Sequence, residues 1–175
     1  VYARLQEKSE QNRLQGIEGV PKNPFQSDAD SLGYLYQPGQ TLRHLKTEKI
    51  QPGFFLCLED MVRRMHGRNM VHLDLRNRRN ILVRPDGRPG LLDFQTSLDL
   101  SRMPPVLQRI LKQIDLSGVY KVWDKLRPDL MDDQRRARLR AIEKRRFLWI
   151  FRGYPLAHAK NHRHQKGRTK VKNHK

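Results

Sequence analysis

The chain of 175 residues is strongly basic, with 36 Lys and Arg against 18 Asp and Glu and a formal net charge of +18. Its length fits one domain, and with 37% apolar residues the hydrophobic core must be small. No apolar run approaches the ~20 residues that span a bilayer, no signal-peptide pattern opens the chain, and the single Cys57 excludes an internal disulfide. We therefore expect a cytoplasmic protein.

The positive charge is concentrated near the C-terminus. Residues 131–175 carry 15 Lys and Arg against 3 Asp and Glu, a net charge of +12. Such a segment attracts polyanions, and it would also attract an anionic membrane surface, such as the inner face of the cytoplasmic membrane.

The first forty residues carry weak secondary-structure signals. Residues 1–15 have the composition of a polar helix. The aromatic-rich residues 32–36 predict a strand, and residues 37–40 predict a turn. Thr41 then stands where it can cap a helix that begins with residues 42–45.

Residues 53–68 have the clearest helical pattern. The apolar side chains recur at intervals of three and four residues, which predicts one buried stripe: Phe54, Leu58, Met61, Val62 and Met65. We expect Cys57 to pack on or beside this stripe. Asn69 tolerates the left-handed conformation that ends a helix.

A β-hairpin is predicted after this helix. The apolar residues 81–83 and 91–92 flank a Pro-Asp-Gly turn within residues 84–90. The hairpin would bring Asn80 and Asp93 together at one end. Their oxygen atoms suit Mg²⁺, with phosphate and water completing its coordination, and Asp74 lies close enough along the chain to accept a proton from a hydroxyl group.

Two helices are predicted downstream. The first begins at Pro104-Pro105, ends before Pro128, and has an apolar face in its first half: Val106, Leu107, Ile110, Leu111 and Ile114. The second opens at Asp132 and combines an Arg-rich face with the apolar residues 147–151. It could dock on the core, which we favour, or lie on an anionic membrane. Residues 156–175 predict a disordered basic tail.

The stretch from His72 to Phe94 resembles the catalytic and metal-binding loops of protein kinases, in which His-x-Asp-Leu precedes an Asn and Asp-Phe-Gly follows. There are two departures, because Asn80 stands six residues after Asp74 instead of five, and Gln95 replaces the final Gly. A one-residue insertion explains the first departure and also the interval from Asp74 to Asp93. The sequence Asp-Phe-Gln and the Arg-rich loop are similar to atypical bacterial kinases, among them the RIO-like and lipopolysaccharide-core kinases.

This resemblance implies an α+β fold that is mostly α. Residues 41–155 would form the C-terminal lobe of a protein kinase, with a short hinge strand before it and a catalytic β-hairpin within it. Residues 1–40 would be a remnant of the N-terminal lobe, comprising the end of helix C and the hinge strand. Residues 156–175 would be the tail.

The resemblance also implies the roles of individual residues. Asp74 and Arg76 would be catalytic, Asn80 and Asp93 would bind Mg²⁺, and backbone groups near Leu35 and Gln37 would bind ATP.

Three further residues would support the site: His72, Asp115 and Glu10. In the kinase interpretation, Asp115 braces the catalytic loop from beneath. From the residues alone Asp115 could equally be a helix N-cap, and Glu10 could equally be a solvated charge.

The implied function is ATP- and Mg²⁺-dependent phosphotransfer to an alcohol group, as in serine/threonine protein kinases. A lipopolysaccharide-core sugar kinase, or a non-catalytic scaffold that binds polyanions through residues 135–175, are the alternatives. The glycine-rich strand pair and strand Lys of a kinase N-terminal lobe have no match here, so we expect either part of a longer kinase or an inactive remnant. The acceptor could be a protein or a sugar hydroxyl, and the arginines of the hairpin region could meet an acidic acceptor or lie solvated: Arg78, Arg79, Arg84 and Arg88.

Overall fold

The computed structural model describes residues 13–21, 25–28, 31–33 and 36–151, and the side chains of 25–28, 31–33 and 145–151 are not part of that description. Within these residues, three complete α-helices and seven short strands follow in this order: β1 (Phe25–Asp28), β2 (Ser31–Gly33), β3 (Gln40–Thr41), α1 (Phe54–Gly67), β4 (Met70–Val71), β5 (Ile81–Val83), β6 (Pro89–Leu91), β7 (Leu98–Asp99), α2 (Pro105–Leu126) and α3 (Asp133–Phe151). The helices hold more residues than the strands, so the predicted α+β class is confirmed.

Helix α1 has the predicted buried stripe. All five predicted apolar side chains are buried, and Phe55 joins them by stacking on Trp123 of α2 with ring centroids 5.3 Å apart. The helix ends before Asn69, whose φ of 58° is the predicted left-handed conformation. The prediction for Cys57 is wrong, because its side chain is exposed. The buried stripe covers only one side of α1, and Cys57 lies outside it in contact with solvent.

The predicted hairpin is confirmed and forms part of a three-stranded antiparallel sheet in the order β3-β5-β6. Ile81 pairs with Leu91, and the turn is closed by the Arg84 N–H donating to the carbonyl of Arg88 at 2.9 Å. Gly87 takes a φ of 77° in this turn, which an L side chain would adopt only with strain. Two further pairs of strands are also antiparallel, β1 with β2 and β4 with β7.

The region before α1 differs from the prediction. Residues 42–45 form a single turn rather than a helix, with the N–H groups of His44 and Leu45 donating to the carbonyl of Thr41. The Thr41 hydroxyl is buried and has no hydrogen-bond partner among the described residues, so the predicted cap is not formed. Pairing of β3 with β5 holds Thr41 in a strand, and this tertiary contact overrides the local capping signal. The strand predicted at 32–36 is found at Ser31–Gly33, and its partner β1 was not predicted.

Helix α2 begins and ends as predicted, but its apolar face is not buried as expected. Val106 and Leu107 are 71% and 38% exposed, whereas the second half of the helix supplies Val119, Tyr120 and Trp123 to the core. Periodicity defines which side chains share a face but not which part of a long helix has a neighbour to cover it. The start of the predicted apolar face is therefore exposed.

Helix α3 begins where the sequence predicts. The Asp132 carboxylate accepts the backbone N–H of Arg135 at 2.8 Å, as an N-cap does. Leu139 is buried against the core. Among the described residues, no helix is long and apolar enough to cross a membrane.

A buried carboxylate ties the three helices together. Glu59 of α1 accepts hydrogen bonds from the Tyr120 hydroxyl of α2 at 2.9 Å and from Arg135 Nε of α3 at 2.6 Å. Arg63, one turn further along α1, donates to the same carboxylate at 2.6 Å. Burial acts to raise the pKa of Glu59, but the hydrogen bonds from Arg135, Arg63 and Tyr120 outweigh it and hold that pKa below its usual value.

Candidate functional site

The loop between β4 and β5 folds around the carboxylate of Asp74. Asn80 Nδ2 donates to Asp74 Oδ2 at 2.8 Å and to the Asp74 carbonyl at 3.2 Å. The backbone turns twice between these residues, because the Asn77 N–H donates to the Asp74 carbonyl at 3.3 Å and the Asn80 N–H donates to the Asn77 carbonyl at 2.9 Å. The two turns bring Asn80 back to Asp74 despite the separation of six residues.

Asn77 belongs to this cluster, although the sequence analysis did not single it out. Its Nδ2 lies 3.4 Å from Asp74 Oδ2, and its Oδ1 accepts the backbone N–H of Arg79 at 3.2 Å. The second contact is an Asx-turn, which is common for Asn in tight loops. Asn77 could have been identified from the sequence because it is an Asn three residues after a candidate catalytic Asp. Both contacts from Asn77 and Asn80 fall on Oδ2, and Asp74 Oδ1 has no hydrogen-bond partner within the described chain.

The hairpin places Asp93 beside this loop. The Leu92 N–H donates to the Asn80 carbonyl at 2.9 Å, so the next residue lies at the same end of the hairpin as Asn80. Asp93 is exposed, and its φ of 59° is left-handed. Its carboxylate accepts only a long 3.4 Å contact from the Gln95 N–H in the described part of the molecule. The backbone of the hairpin therefore brings Asn80 and Asp93 to the same end, as predicted.

The two residues fit a divalent cation that also binds phosphate. Asn80 uses its Nδ2 for Asp74, which leaves its amide oxygen without a partner among the residues described. Asp93 offers an exposed carboxylate, and both are the hard oxygen donors that Mg²⁺ prefers. Over the same residues there is no group of three or more His, Cys, Asp and Glu that could enclose a metal ion. A Mg²⁺ ion here would need phosphate oxygens and water to complete its coordination.

His72 is fully buried and connects the loop to the segment after the hairpin. Its Nε2 donates to the Leu92 carbonyl at 2.9 Å, and its Nδ1 lies 3.4 Å from the Asp74 N–H. One neutral tautomer satisfies both contacts, since Nε2 must donate and Nδ1 must accept. The ring packs on Phe94 with centroids 4.8 Å apart, and the His72 carbonyl accepts the Thr96 hydroxyl at 2.8 Å.

Asp115 lies beneath the loop. Its Oδ2 accepts the His72 N–H at 2.9 Å and its Oδ1 accepts the Leu73 N–H at 2.9 Å. His66 of α1 contributes a third contact, with Nε2 3.0 Å from Oδ2. Asp115 is 1% exposed and stands in the middle of α2, so the alternative that it caps a helix is wrong.

Gly118 lets α2 approach the loop closely. A Cβ atom at this position would lie 3.1 Å from Leu75 Cβ and 3.2 Å from Arg76 N. The close approach puts Asp115, nearly one helical turn earlier, within reach of the loop amides. A glycine in the middle of a helix was the sequence signal for this contact.

The arginines of this region divide into two groups. Arg76 and Arg79 are exposed and Arg78 is half-buried, and none of the three side chains has a carboxylate partner among the described residues. Arg84 and Arg88 instead donate to Glu18, each at 2.8 Å. The hydrogen bond from Arg84 holds the pKa of Glu18 below its usual value. These two arginines are thus held in ion pairs with Glu18, whereas Arg78 and Arg79 have no carboxylate partner among the described residues.

Of the two predicted nucleotide-contacting residues only Gln37 is described, and it does not lie with this cluster. Leu35 lies outside the described residues, as does Glu10. Gln37 is half-buried, and its Oε1 lies against Gly90 in β6. Gln37 also lines a cavity of about 450 Å³ with residues 84–86, which places it towards the turn of the hairpin rather than at the end that carries Asn80 and Asp93.

No protein-family model matches this chain, and no curated protein matches it. The proposed function therefore rests on the residues of the site and their geometry.

Proposed function

We propose that the chain is an ATP- and Mg²⁺-dependent phosphotransferase of the protein kinase-like superfamily, acting on a hydroxyl acceptor, with residues 41–151 corresponding to a kinase C-terminal lobe. The observation that supports this best is the joint placement of Asp74, Asn80 and Asp93. The sequence resemblance requires these three residues to act together, and the loop turns and the hairpin bring them to one end of the same sheet.

Asp74 is suited to accept the proton of the attacking hydroxyl. Asn80 and Asn77 hold its Oδ2, so the carboxylate is oriented while Oδ1 stays available. A positioned general base of this kind contributes roughly 10²–10⁴-fold to a rate. Asp115 and His72 fix the backbone that leads into Asp74, and this limits the conformations that the base can adopt.

Arg76, Asn80 and Asp93 would act on the phosphate groups of ATP. Asn80 and Asp93 would hold Mg²⁺, which when bound neutralises negative charge on the phosphate oxygens. Arg76 is exposed next to Asp74 and has no carboxylate partner in the described residues, so its guanidinium is free to contact the transferred phosphoryl group. The family resemblance would put the nucleotide base near residues 35–37, of which Leu35 lies outside the described residues and Gln37 lies towards the hairpin turn.

Binding of Mg·ATP is the first test, because it does not require the acceptor to be known. A ligand that binds only the folded state stabilises it by about 2.7 kcal/mol at a concentration of 100 Kd. For a chain of this size that corresponds to roughly 5–10 °C in Tm. An Asp93→Gly variant should lose this Mg·ATP-dependent shift, whereas Asp60→Asn, an exposed acid on α1 paired with Arg64, should keep it. An equal shift in all three proteins, or none in the wild type, would argue against the nucleotide site.

Turnover is the second test. Asp74→Asn should lower ATP hydrolysis or phosphotransfer by roughly 10²–10⁴-fold while leaving the Mg·ATP thermal shift in place. Asp60→Asn again serves as the control for loss of one exposed charge. Wild-type turnover in Asp74→Asn would remove Asp74 as the base and the phosphotransferase proposal with it.

The same assay can identify the class of acceptor. Only residues 94–104 separate Asp93 from α2, which leaves little chain for the platform that a protein substrate rests on. A serine-containing peptide and a lipopolysaccharide-core sugar, each incubated with labelled Mg·ATP, would distinguish the serine/threonine protein kinase-like activity from the sugar kinase alternative.

A second candidate function, a scaffold that binds polyanions or an anionic membrane, rests on α3. Arg138, Arg140 and Lys144 are exposed, and within the described residues none has a carboxylate partner. Truncation at residue 135 would be a poor test because Arg135 belongs to the Glu59 network. Replacing the three exposed cations with Gln should instead weaken binding to a nucleic acid and flatten its salt dependence.

A further inference from the structure

A groove open to solvent runs between α1 and the first half of α2, on the far side of Asp115 from the loop that carries Asp74. Its volume is about 400 Å³, and its wall includes Arg63 and His66 of α1 with Arg109 and Lys112 of α2. The wall is completed by both polar and apolar side chains of α2: Pro105, Gln108, Gln113 and Leu116.

Several cations line the groove, and no carboxylate is among the described residues that line it. Arg109 and Lys112 have no carboxylate within ion-pairing distance among the described residues. Arg63 is held in place by two bonds to Glu59, through Nε at 2.9 Å and Nη2 at 2.6 Å, which leaves its Nη1 unused in the described part of the chain. The Gln108 amide is fixed by donating to the Met103 carbonyl at 2.9 Å. Fixed donors and unpaired cations around one cavity favour an anion.

His66 connects this groove to the catalytic loop. Its ring is 7% exposed and lines the groove, while its Nε2 contacts Asp115 Oδ2 at 3.0 Å. Nδ1 has no hydrogen-bond partner among the described residues. Asp115 in turn accepts the N–H groups of His72 and Leu73, which immediately precede Asp74. The path from the groove to the loop therefore passes through two side chains, both buried.

We infer that this groove binds a small phosphorylated molecule, and that its occupancy is transmitted through His66 and Asp115 to the loop that carries Asp74. A phosphate hydroxyl that donates to Nδ1 fixes the tautomer in which Nε2 donates to Asp115. The charged groups that face His66 are Asp115 on one side and Arg63, Arg109 and Lys112 on the other. The volume is in the range of small-ligand pockets and too small for a helix of a partner protein.

The binding half of the inference is tested with inorganic phosphate in buffer that contains EDTA, so that the metal-dependent site is not engaged. Phosphate should raise the thermal unfolding midpoint more than chloride at equal ionic strength. The double variant Arg109→Gln/Lys112→Gln should weaken phosphate binding by at least about tenfold, as expected for the loss of two charge-assisted contacts. The matched variant Arg138→Gln/Arg140→Gln removes the same charge from α3 and should change binding by less than about twofold. Equal losses in the two variants would show general charge attraction and overturn the site.

The coupling half rests on the proposed function and has its own readout. On adding phosphate, the backbone amide resonances of His72 and Leu73 should shift in the wild type. His66→Phe removes the donor to Asp115 while keeping a ring of similar size, so it should weaken phosphate binding by the loss of one hydrogen bond and, at saturating phosphate, lose these amide shifts. Amide shifts that persist in His66→Phe would refute the coupling through this residue. Because no step involves ATP, phosphate binding that survives in Asp74→Asn leaves the groove standing even if phosphotransfer fails.

Discussion

Replacing Asp115 with Asn is the sharpest test of how the loop that carries Asp74 is held. The carboxylate accepts three hydrogen bonds, from the N–H groups of His72 and Leu73 at 2.9 Å each and from His66 Nε2 at 3.0 Å. An amide has one acceptor oxygen, so whichever way Asn is oriented its NH₂ group faces one of the two backbone N–H donors. His66 can adapt by changing tautomer, but a backbone N–H cannot.

The expected cost follows from these contacts. A buried donor that loses its acceptor costs about 1–3 kcal/mol, and the remaining bonds to a neutral amide are weaker than bonds to a carboxylate by about 1 kcal/mol. We therefore expect Asp115→Asn to lower the free energy of unfolding by roughly 2–4 kcal/mol. That is a large part of the 5–15 kcal/mol typical of a domain.

Urea unfolding followed by circular dichroism measures this loss, and hydrogen exchange locates it. The amides of His72 and Leu73 should lose protection before those of α1. Asp124→Asn is the matched control, because Asp124 is on the same helix but exposed, with its nearest cation, Arg136, 3.9 Å away. This control should change stability by less than about 0.5 kcal/mol. If Asp115→Asn cost no more than the control, Asp115 would not be holding the loop.

Three further changes test other parts of the structure. Glu59→Gln should cost roughly 2 kcal/mol at neutral pH, less than the 3–5 kcal/mol of a fully buried pair because its arginine partners touch water. Because the folded-state pKa of Glu59 is lowered, its carboxylate stabilises the fold above the unfolded-state pKa, and this stabilisation is lost as the pH falls through the folded-state pKa. The acid side of a pH–stability curve should therefore be flatter in the variant than in the wild type. Parallel curves would contradict this. Gly118→Ala should lower stability by about 1 kcal/mol, since crowding of the loop outweighs the gain in helix propensity, whereas Gly67→Ala, with open space around it, should be neutral or stabilising by urea unfolding. Asp93→Gly should leave the free energy of unfolding within about 1 kcal/mol of wild type, because relief of the left-handed backbone offsets the added chain entropy; a larger loss would mean that Asp93 has a structural role.

The parts of the site that depend on local chemistry could be predicted from the sequence. A Pro-Asp-Gly turn between two apolar runs fixes a hairpin without help from the rest of the chain, so the proximity of Asn80 and Asp93 followed directly. The stripe on α1 was equally readable because the spacing of its apolar residues is a property of the helix itself.

The parts that depend on distant residues could not be predicted in the same way. Glu18 binds Arg84 and Arg88 across 66 and 70 residues of sequence, and no local pattern marks that pairing. The position of Asp115 beneath the loop was suggested only by the family resemblance, since its spacing from the loop has no local signature. Exposure of Val106 and Leu107 depends on which elements lie beside the first half of α2, and periodicity contains no information about that.

The backbone conformations on either side of the loop connect this packing to the proposed chemistry. Leu73 and Asp93 both have left-handed φ values, 66° and 59°, although neither is a glycine. Such residues persist only where surrounding contacts determine the conformation, and they are concentrated at functional sites. At Leu73 the constraint is the N–H bond to Asp115, and around Asp93 it is the Leu92 contact with Asn80 on one side and the packing of Phe94 on His72 on the other. A chain that needed only a stable core could relieve both positions with glycine. The exposed carboxylate of Asp93 makes only a 3.4 Å contact among the described residues, so in the proposed function its oxygens are available to a phosphate-bound Mg²⁺ ion together with the neighbouring Asn80 oxygen.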